Sequence, residues 1–358
     1  MKIIFICGSL ERGKDGVGDY TRRLASGLIA IGCDVRMLAL NDKHLVGFLH
    51  EVQLEQDQQI TTLRLGKDLG WKERAVRAKV WVDAFNPSWL SLQYVPYAFQ
   101  DKGLPFFLGR YLKEIGGDRK WHVMFHELCI GLEINSSIKY EVIGYLQRKM
   151  IRFLIYYLKV ERISTQCKLY KKILYDLIAK DIQLLPLFSN IEKAVFPGVI
   201  RKNERLVVFG WIHKCPSYFE FIQSVKSNFG KKAELIFLGR NGFELQNWVK
   251  ACESIGVDYK VMGEVSATEV SKILQTCQYG ISTTPAPVLE KSSSFAAYKN
   301  HDLMQINVSS VRYKSKYKHP KENFKIWNNN IDWSKVRQQK EAKVSTNEIA
   351  NLFKAFLE

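Results

Sequence analysis

The chain has 358 residues, 46% of them apolar and 25% charged, which is enough for two packed cores. Its seven cysteines are scattered without a C-x-x-C pair, a pattern that argues against a disulfide framework or a zinc site and for thiols in a reducing cytoplasm. The formal charge of +17 suits anionic partners, but no RRM, zinc-finger or helix-turn-helix signature accompanies it, so nucleic acid is not expected.

The first residues, Lys2 to Cys7, read as a buried strand. The run is too short for a signal peptide, and no later run approaches the ~18 apolar residues of a membrane span. A glycine-rich loop, Gly8 to Gly18, leads into a helix on which Tyr20, Leu24, Leu28 and Ile31 recur at helical spacing until Gly32 ends it. Strands follow at Asp34–Leu40, Trp89–Gln93 and Trp121–Phe125, and this alternation predicts an α/β, doubly wound parallel sheet. Between Ile138 and Leu177 the helical pattern mixes Tyr145, Phe153, Tyr156 and Tyr157 with Arg148, Lys149, Arg152, Lys168 and Lys172. Two readings are open there: helices lying on an anionic membrane surface, or amphipathic helices with aromatics inward and cations outward.

The pattern restarts after Pro186 and Pro197-Gly198. Arg205–Gly210, Glu234–Gly239, Tyr259–Gly263 and Gln278–Ser282 are short apolar strands ending in Gly or Ser, separated by helical stretches. The expected organisation is therefore an N-terminal domain over 1–185, a linker over 186–204, a second α/β domain over 205–330, and a helical tail over 331–358 that returns to the first domain. A cleft is expected between the two. In open α/β sheets ligands sit beyond the carboxyl ends of the strands, which directs attention to the strand-end loops.

Gly8–Asp15 nearly matches a phosphate-binding P-loop, but Asp15 stands where that motif needs Ser or Thr. Thr21 likewise replaces the third glycine of a dinucleotide turn. What remains is a flexible loop at a helix N-terminus, suited to an anion or a sugar hydroxyl. Gln93-Tyr94 and His126-Glu127 end two strands, and His126 is either a structural histidine or a ligand-facing one. In the second half His213-Lys214 and Arg240 put cations just past strand ends. After the last of these strands, Thr283 to Ser294 combines a proline-stiffened loop with Lys291 and three serines before a helix. Such a set of hydroxyls, N–H groups and an ammonium would bind a diphosphate without metal, the alternative being a plain helix cap with Lys291 in solvent.

Taken in order, Gly16-Val17-Gly18-Asp19-Tyr20, Leu92-Gln93-Tyr94, Phe125-His126-Glu127, Phe237-Leu238-Gly239, Gly263-Glu264-Val265 and the Thr283–Ser294 loop resemble GT-B glycosyltransferases, specifically the retaining enzymes akin to family 4. The resemblance covers most of the chain. It implies two Rossmann-like domains facing across a cleft, the first binding an acceptor and the second a nucleotide sugar, with a UDP-sugar donor such as UDP-glucose expected. It implies that the backbone of Glu264 and Val265 frames the base, that Thr284, Lys291, Ser292 and Ser293 hold the phosphates with Gly210, Lys214 and Arg240, and that Gly16 and Gly18 approach the donor. His126 would touch the transferred sugar, Gln93 and Tyr94 the acceptor. The family's pair of glutamates falls here at Leu289 and Ala297, leaving Glu290 as a partial substitute, and its basic residue after the first C-domain strand is Trp211. The expected reaction is hexosyl transfer to a glycan or lipid-linked glycan in polysaccharide or glycoconjugate synthesis. No metal or cofactor is expected, and the chain would be cytoplasmic or peripheral on the inner face of the membrane. The alternative is a non-catalytic nucleotide-sugar-binding protein.

Overall fold

The computed structural model describes residues 1–314, 317, 325–327, 333, 336 and 344–358. It divides into two compact units, Met1–Pro186 with Ser345–Glu358, and Leu187–Val344. Each is a doubly wound, Rossmann-like α/β domain.

The first unit runs β1 (Lys2–Cys7), α1 (Gly16–Ala30), β2 (Asp34–Asp42), β3 (Phe48–Glu55), β4 (Gln58–Gly66), α2 (Trp71–Phe85) and β5 (Trp89–Tyr94). It continues through α3 (Pro96–Phe99), α4 (Leu108–Gly116), β6 (Lys120–Phe125), α5 (Ile138–Tyr157), β7 (Arg162–Thr165), α6 (Lys168–Ile178) and β8 (Gln183–Leu184). The sheet order is β3-β4-β2-β1-β5-β6-β7-β8, parallel except for the β3–β4 hairpin. The strand order reverses between β1 and β5, which makes their carboxyl ends the natural crevice. β1 and β5 are buried on both faces; β1 is accordingly apolar from Ile3 to Cys7, whereas β5 carries Ser91 and Gln93 in its buried run. The hairpin carries no sequence signal because Gln56 and Asp57, not Asn-Gly, adopt the positive φ values of its two-residue turn (47° and 63°).

The second unit runs β9 (Lys202–Phe209), α7 (Tyr218–Phe229), β10 (Glu234–Leu238), α8 (Leu245–Ile255), β11 (Asp258–Gly263), α9 (Ala267–Thr276), β12 (Cys277–Ser282), α10 (Ser293–Asn300), β13 (Met304–Asn307) and β14 (Lys325–Ile326). Its sheet order is β11-β10-β9-β12-β13-β14, with the reversal between β9 and β12. Alternate residues of β10 enter opposite cores: Leu235 and Phe237 join Trp248 and Phe221, whereas Ile236 and Leu238 join Leu274 and Tyr298. Residues 187–201 lack regular structure yet are fastened to this unit. Ala194 N–H donates to Ser271 Oγ at 3.1 Å, and Arg201 donates to the carbonyls of His301 and Asp302.

Part of the expected tail over 331–358 lies outside the described residues. Its end, α11 (Thr346–Leu357), opens with a capping box in which Ser345 and Glu348 exchange hydrogen bonds. Its buried face, Ile349, Ala350, Phe353 and Leu357, lies on the first unit. A Cβ on Gly27 of α1 would meet Thr346 and Ala350 at 3.1–3.2 Å, so a small residue there lets the two helices close. Each fully buried Ile, Leu or Phe contributes roughly 2 kcal/mol.

Candidate functional site

In the second unit the loops after β9 and β12 meet at the strand-order reversal. β9 ends at Gly210, whose φ of +84° lies in the left-handed region and whose missing Cβ would sit 2.7 Å from Ser294 Oγ. The positive φ favours glycine there, while the Ser294 hydroxyl could turn aside from a Cβ. The strand ends are tied by three side chains. Tyr298, fully buried, accepts from Phe209 N–H at 2.7 Å and donates to Ile281 O at 3.0 Å. Asn241 donates to Gly210 O at 2.8 Å, and Asn307 donates to Thr284 O at 2.7 Å. His213 N–H donates to Thr283 Oγ1 at 2.8 Å, which draws the two loops together.

Of the cations in these two loops, His213 is exposed and Lys291 half-buried. The His213 ring reaches solvent, but crowding by its surroundings and then the Lys291 ammonium hold its pKa below the ordinary value. Ser292 caps α10 by accepting from Phe295 N–H at 3.3 Å, leaving the exposed Ser293 and the half-buried Ser294 in the first turn. The helix start is thus a capped one, with the half-buried Lys291 just ahead of it. Lys214 is exposed in that loop. Arg240 pairs with Glu264 at 2.8 Å across two strand-end loops, both side chains being exposed. Val265 packs against the core on one sheet face, and Gly263 takes a φ of +62° beside it. Leu289 and Ala297, the slots of the family's glutamate pair, are both buried among apolar residues, while Glu290 is half-buried in the short helical turn Ala286–Lys291.

In the first unit the loop after β1, expected to be flexible, is tied by side-chain hydrogen bonds. Asp42 at the end of β2 accepts from Ser9 Oγ at 2.9 Å, Leu10 N–H at 3.2 Å and Arg64 Nε at 2.8 Å. Arg22 donates to Leu10 O at 2.8 Å, and Arg64 also pairs with Glu11. Burial by itself would raise the Asp42 pKa, but the Arg64 guanidinium and the N–H groups of His44 and Leu10 carry it below the usual carboxylate range. The N-terminus of α1 is occupied as well: Asp15 accepts from Val17 and Gly18 N–H at 2.9 and 2.8 Å. An incoming phosphate would meet this carboxylate in place of free amides, which removes the P-loop reading and weakens Gly16 and Gly18 as anion donors. Gly18 has a packing reason instead, since a Cβ there would lie 2.6 Å from Ser9 O.

His126, at the end of β6, is 5% exposed, with Nε2 2.9 Å from Gln93 Oε1 and Nδ1 3.4 Å from Gln166 Oε1. Tyr20 of α1 stands edge-on to its ring at 5.0 Å. Gln93 is fully buried beneath it, so its side chain supports His126 and does not itself present to an acceptor. Tyr94 is also buried, against Phe99 and Phe125, where desolvation pushes its phenol pKa up. It lines an apolar cavity of about 320 Å3 with Phe106, Leu108, Leu146, Phe153 and one cation, Lys149. Sequence reasoning missed the ties made by Asn307 and Tyr298, and the polar residues behind His126.

No protein-family model matches the chain, and no curated protein matches it in sequence. Solved structures do. Sucrose-phosphate synthase from Thermosynechococcus elongatus aligns with a TM-score of 0.61 at 12% identity, over 100% of this chain and 90% of that one. HepE from Anabaena, solved in complex with UDP, aligns at 0.60 and 12%, over 100% and 90%. UDP-GlcNAc 2-epimerase from Methanocaldococcus jannaschii aligns at 0.57 and 9%, over 100% and 99%. The chain therefore has the GT-B fold, and one of these neighbours was solved with UDP. At these identities the likeness is one of fold, and the epimerase illustrates that the fold alone does not choose the chemistry.

Proposed function

We propose that this protein is a glycosyltransferase that moves a hexosyl group from a nucleoside diphosphate sugar, with uridine as the base, to a hydroxyl of a glycan or lipid-linked glycan. The observation that carries the reading is the meeting of the β9 and β12 loops at the reversal point of the second sheet, where His213 N–H is bonded to Thr283 and the bare Gly210 faces Ser294 in the first turn of α10, just after Lys291. Lys291, Ser293, Ser294 and Thr284 then meet the diphosphate, with Lys214 at its margin and the backbone of Glu264 and Val265 beside the base. Their ammonium, hydroxyl and N–H groups stabilise the charge that develops as the glycosidic bond breaks, the electrostatic contribution that often dominates such catalysis. No metal is needed in this scheme. Transfer proceeds with retention, the departing phosphate oxygen taking the acceptor's proton, and His126 contacts the transferred sugar.

The acceptor reading draws on α5. Tyr145, Phe153, Tyr156 and Tyr157 are exposed alongside Lys149 and Arg152, while Gly144, Gln147, Ile151, Leu154 and Ile155 form the inward face. Outward aromatics favour an interfacial helix over an ordinary amphipathic one, and a membrane-borne acceptor follows. No described helix is long and apolar enough to cross a membrane.

The donor site is tested by thermal melts with UDP, GDP, ADP and ATP, each in EDTA and in magnesium. UDP at 100 times its Kd adds about 2.7 kcal/mol of stability. The expected result is stabilisation by UDP in EDTA that is lost in Lys291→Ala; stabilisation only by magnesium-ATP, unchanged in that variant, would sink the reading. The buried Leu289 and Ala297 favour a second reading, a binding protein without turnover, because no carboxylate pair can stand in the core. Release of UDP from a UDP-sugar in the presence of acceptor separates the two.

A further inference from the structure

Behind His126 a chain of buried polar side chains crosses three strands on one face of the first sheet. It is built from alternate positions: Ser91 and Gln93 of β5, His122 and Met124 of β6, Ser164 of β7, and Gln166 just beyond β7. All are fully or nearly fully buried. The links are His126 Nε2 to Gln93 Oε1 (2.9 Å), Gln93 Nε2 to Ser91 Oγ (2.9 Å), Ser91 Oγ to His122 Nδ1 (2.8 Å), His122 Nε2 to Ser164 Oγ (2.8 Å) and Ser164 Oγ to Met124 Sδ (2.9 Å). The edge of the His122 ring meets Phe353 and Phe356 of α11, at 4.9 and 6.1 Å, so no polar group of α11 interrupts the chain there.

The direction of every proton follows from the last link. A thioether accepts and cannot donate, so Ser164 spends its proton on Met124. Its oxygen then accepts from His122, which is protonated on Nε2. Desolvation, with His126 nearby, lowers the His122 pKa to about 3, so the ring carries one proton only. Its Nδ1 must therefore accept from Ser91. The Ser91 oxygen, its proton spent, accepts from the Gln93 amide N–H. Gln93 is thereby turned with its carbonyl toward His126.

We propose that Ser91, Gln93, His122 and Ser164 are positioning residues that hold His126 as the Nε2–H tautomer; its Nδ1, 3.4 Å from the Gln166 side-chain amide, then accepts from that amide, which must present its N–H there. With both ring nitrogens held, the neutral ring keeps one orientation toward a sugar that reaches it. This role in transfer rests on the function proposed above, whereas the tautomer itself does not.

The test uses the full chain labelled with 15N-histidine, whose ring 15N shifts separate the two tautomers; the His126 signals are those missing from His126→Ala. The expected native result is one Nε2–H tautomer. Ser91→Ala, which frees the Gln93 amide to turn, and the near-isosteric Met124→Leu, which frees Ser164, should both give averaged shifts at His126, with a several-fold loss in kcat and little change in donor KM. A native Nδ1–H tautomer, or an unchanged tautomer in both variants, overturns the proposal. If the shifts behave as expected but His126→Ala keeps full turnover, the relay stands and the transfer role assigned to His126 falls.

Discussion

His122 shows how one residue's burial becomes a pH dependence. Both ring nitrogens are satisfied by serine hydroxyls in a site without solvent, and its pKa is lowered to about 3. Its unfolded-state value is about 6.5, so between these limits the unfolded chain binds the proton and the folded one does not. The stabilisation is fully present above about pH 6.5 and is lost as pH falls toward 3, at up to about 1.4 kcal/mol per pH unit. In urea melts, His122→Gln should lose roughly 2–3 kcal/mol less than the native chain between pH 6.5 and 4.5. Parallel losses in the two proteins would mean that His122 is already charged in the folded state. The residues around it were hard to read from sequence for a simple reason. Ser91, Gln93, His122 and Ser164 interrupt apolar strands with period two, and each alone resembles a tolerated polar residue. Only the register Ser91↔His122 and Met124↔Ser164 brings them into one line. His126 itself was legible because it ends a strand.

At the scale of elements, β1, β2, β5, β6 and β9 to β12 were legible in chain order from their apolar runs, whereas the short β7, β8, β13 and β14 were not. The β3–β4 hairpin was not, because Gln56-Asp57 carries its turn and the edge strand β3 exposes Val52 and Leu54. The strand-end loops proposed to hold the donor were legible as places but not as an arrangement. Arg240 reads as a free cation in the sequence, yet Glu264 from the next strand-end loop pairs with it. The contact between α10 and the sheet was also hidden. A Cβ on Gly280 of β12 would lie 2.5 Å from the Tyr298 ring, the same ring whose hydroxyl joins the ends of β9 and β12. Gly280→Ala should therefore displace Tyr298, with an overpacking cost of about 1–3 kcal/mol. Because the displaced hydroxyl holds the strand ends beneath Lys291, UDP affinity should fall as well, by more than in a variant of equal instability placed in α7. Equal losses would leave Tyr298 as packing alone.

For the whole molecule, the charge of +17 finds a physical use only if part of it is concentrated where it can act. On α5 it is: Lys149 lies over Tyr145 at 5.4 Å and Arg152 over Tyr156 at 5.9 Å, with Phe153 stacked on Tyr157 at 5.0 Å. Phe106 and Phe107 are exposed ahead of α4, and Phe106 and Phe153 both line the apolar cavity with Lys149 at its wall. Aromatic rings with cations beside them suit the boundary between acyl chains and anionic headgroups, where each cation near the surface contributes about 1 kcal/mol. The attraction extends about 8 Å at physiological salt and shrinks as salt rises. Sedimentation with vesicles should thus show binding to phosphatidylglycerol-containing membranes, weak binding to neutral ones, and release at high salt. Replacing Lys149 and Arg152 together by glutamine should lower binding by roughly tenfold or more, since two such contributions are removed. Phe153→Ser with Tyr157→Ser should weaken it without changing the salt dependence, because apolar insertion is not screened. Equal binding to neutral and anionic vesicles would remove the membrane from the acceptor side and leave a water-soluble glycan as the substrate to try first.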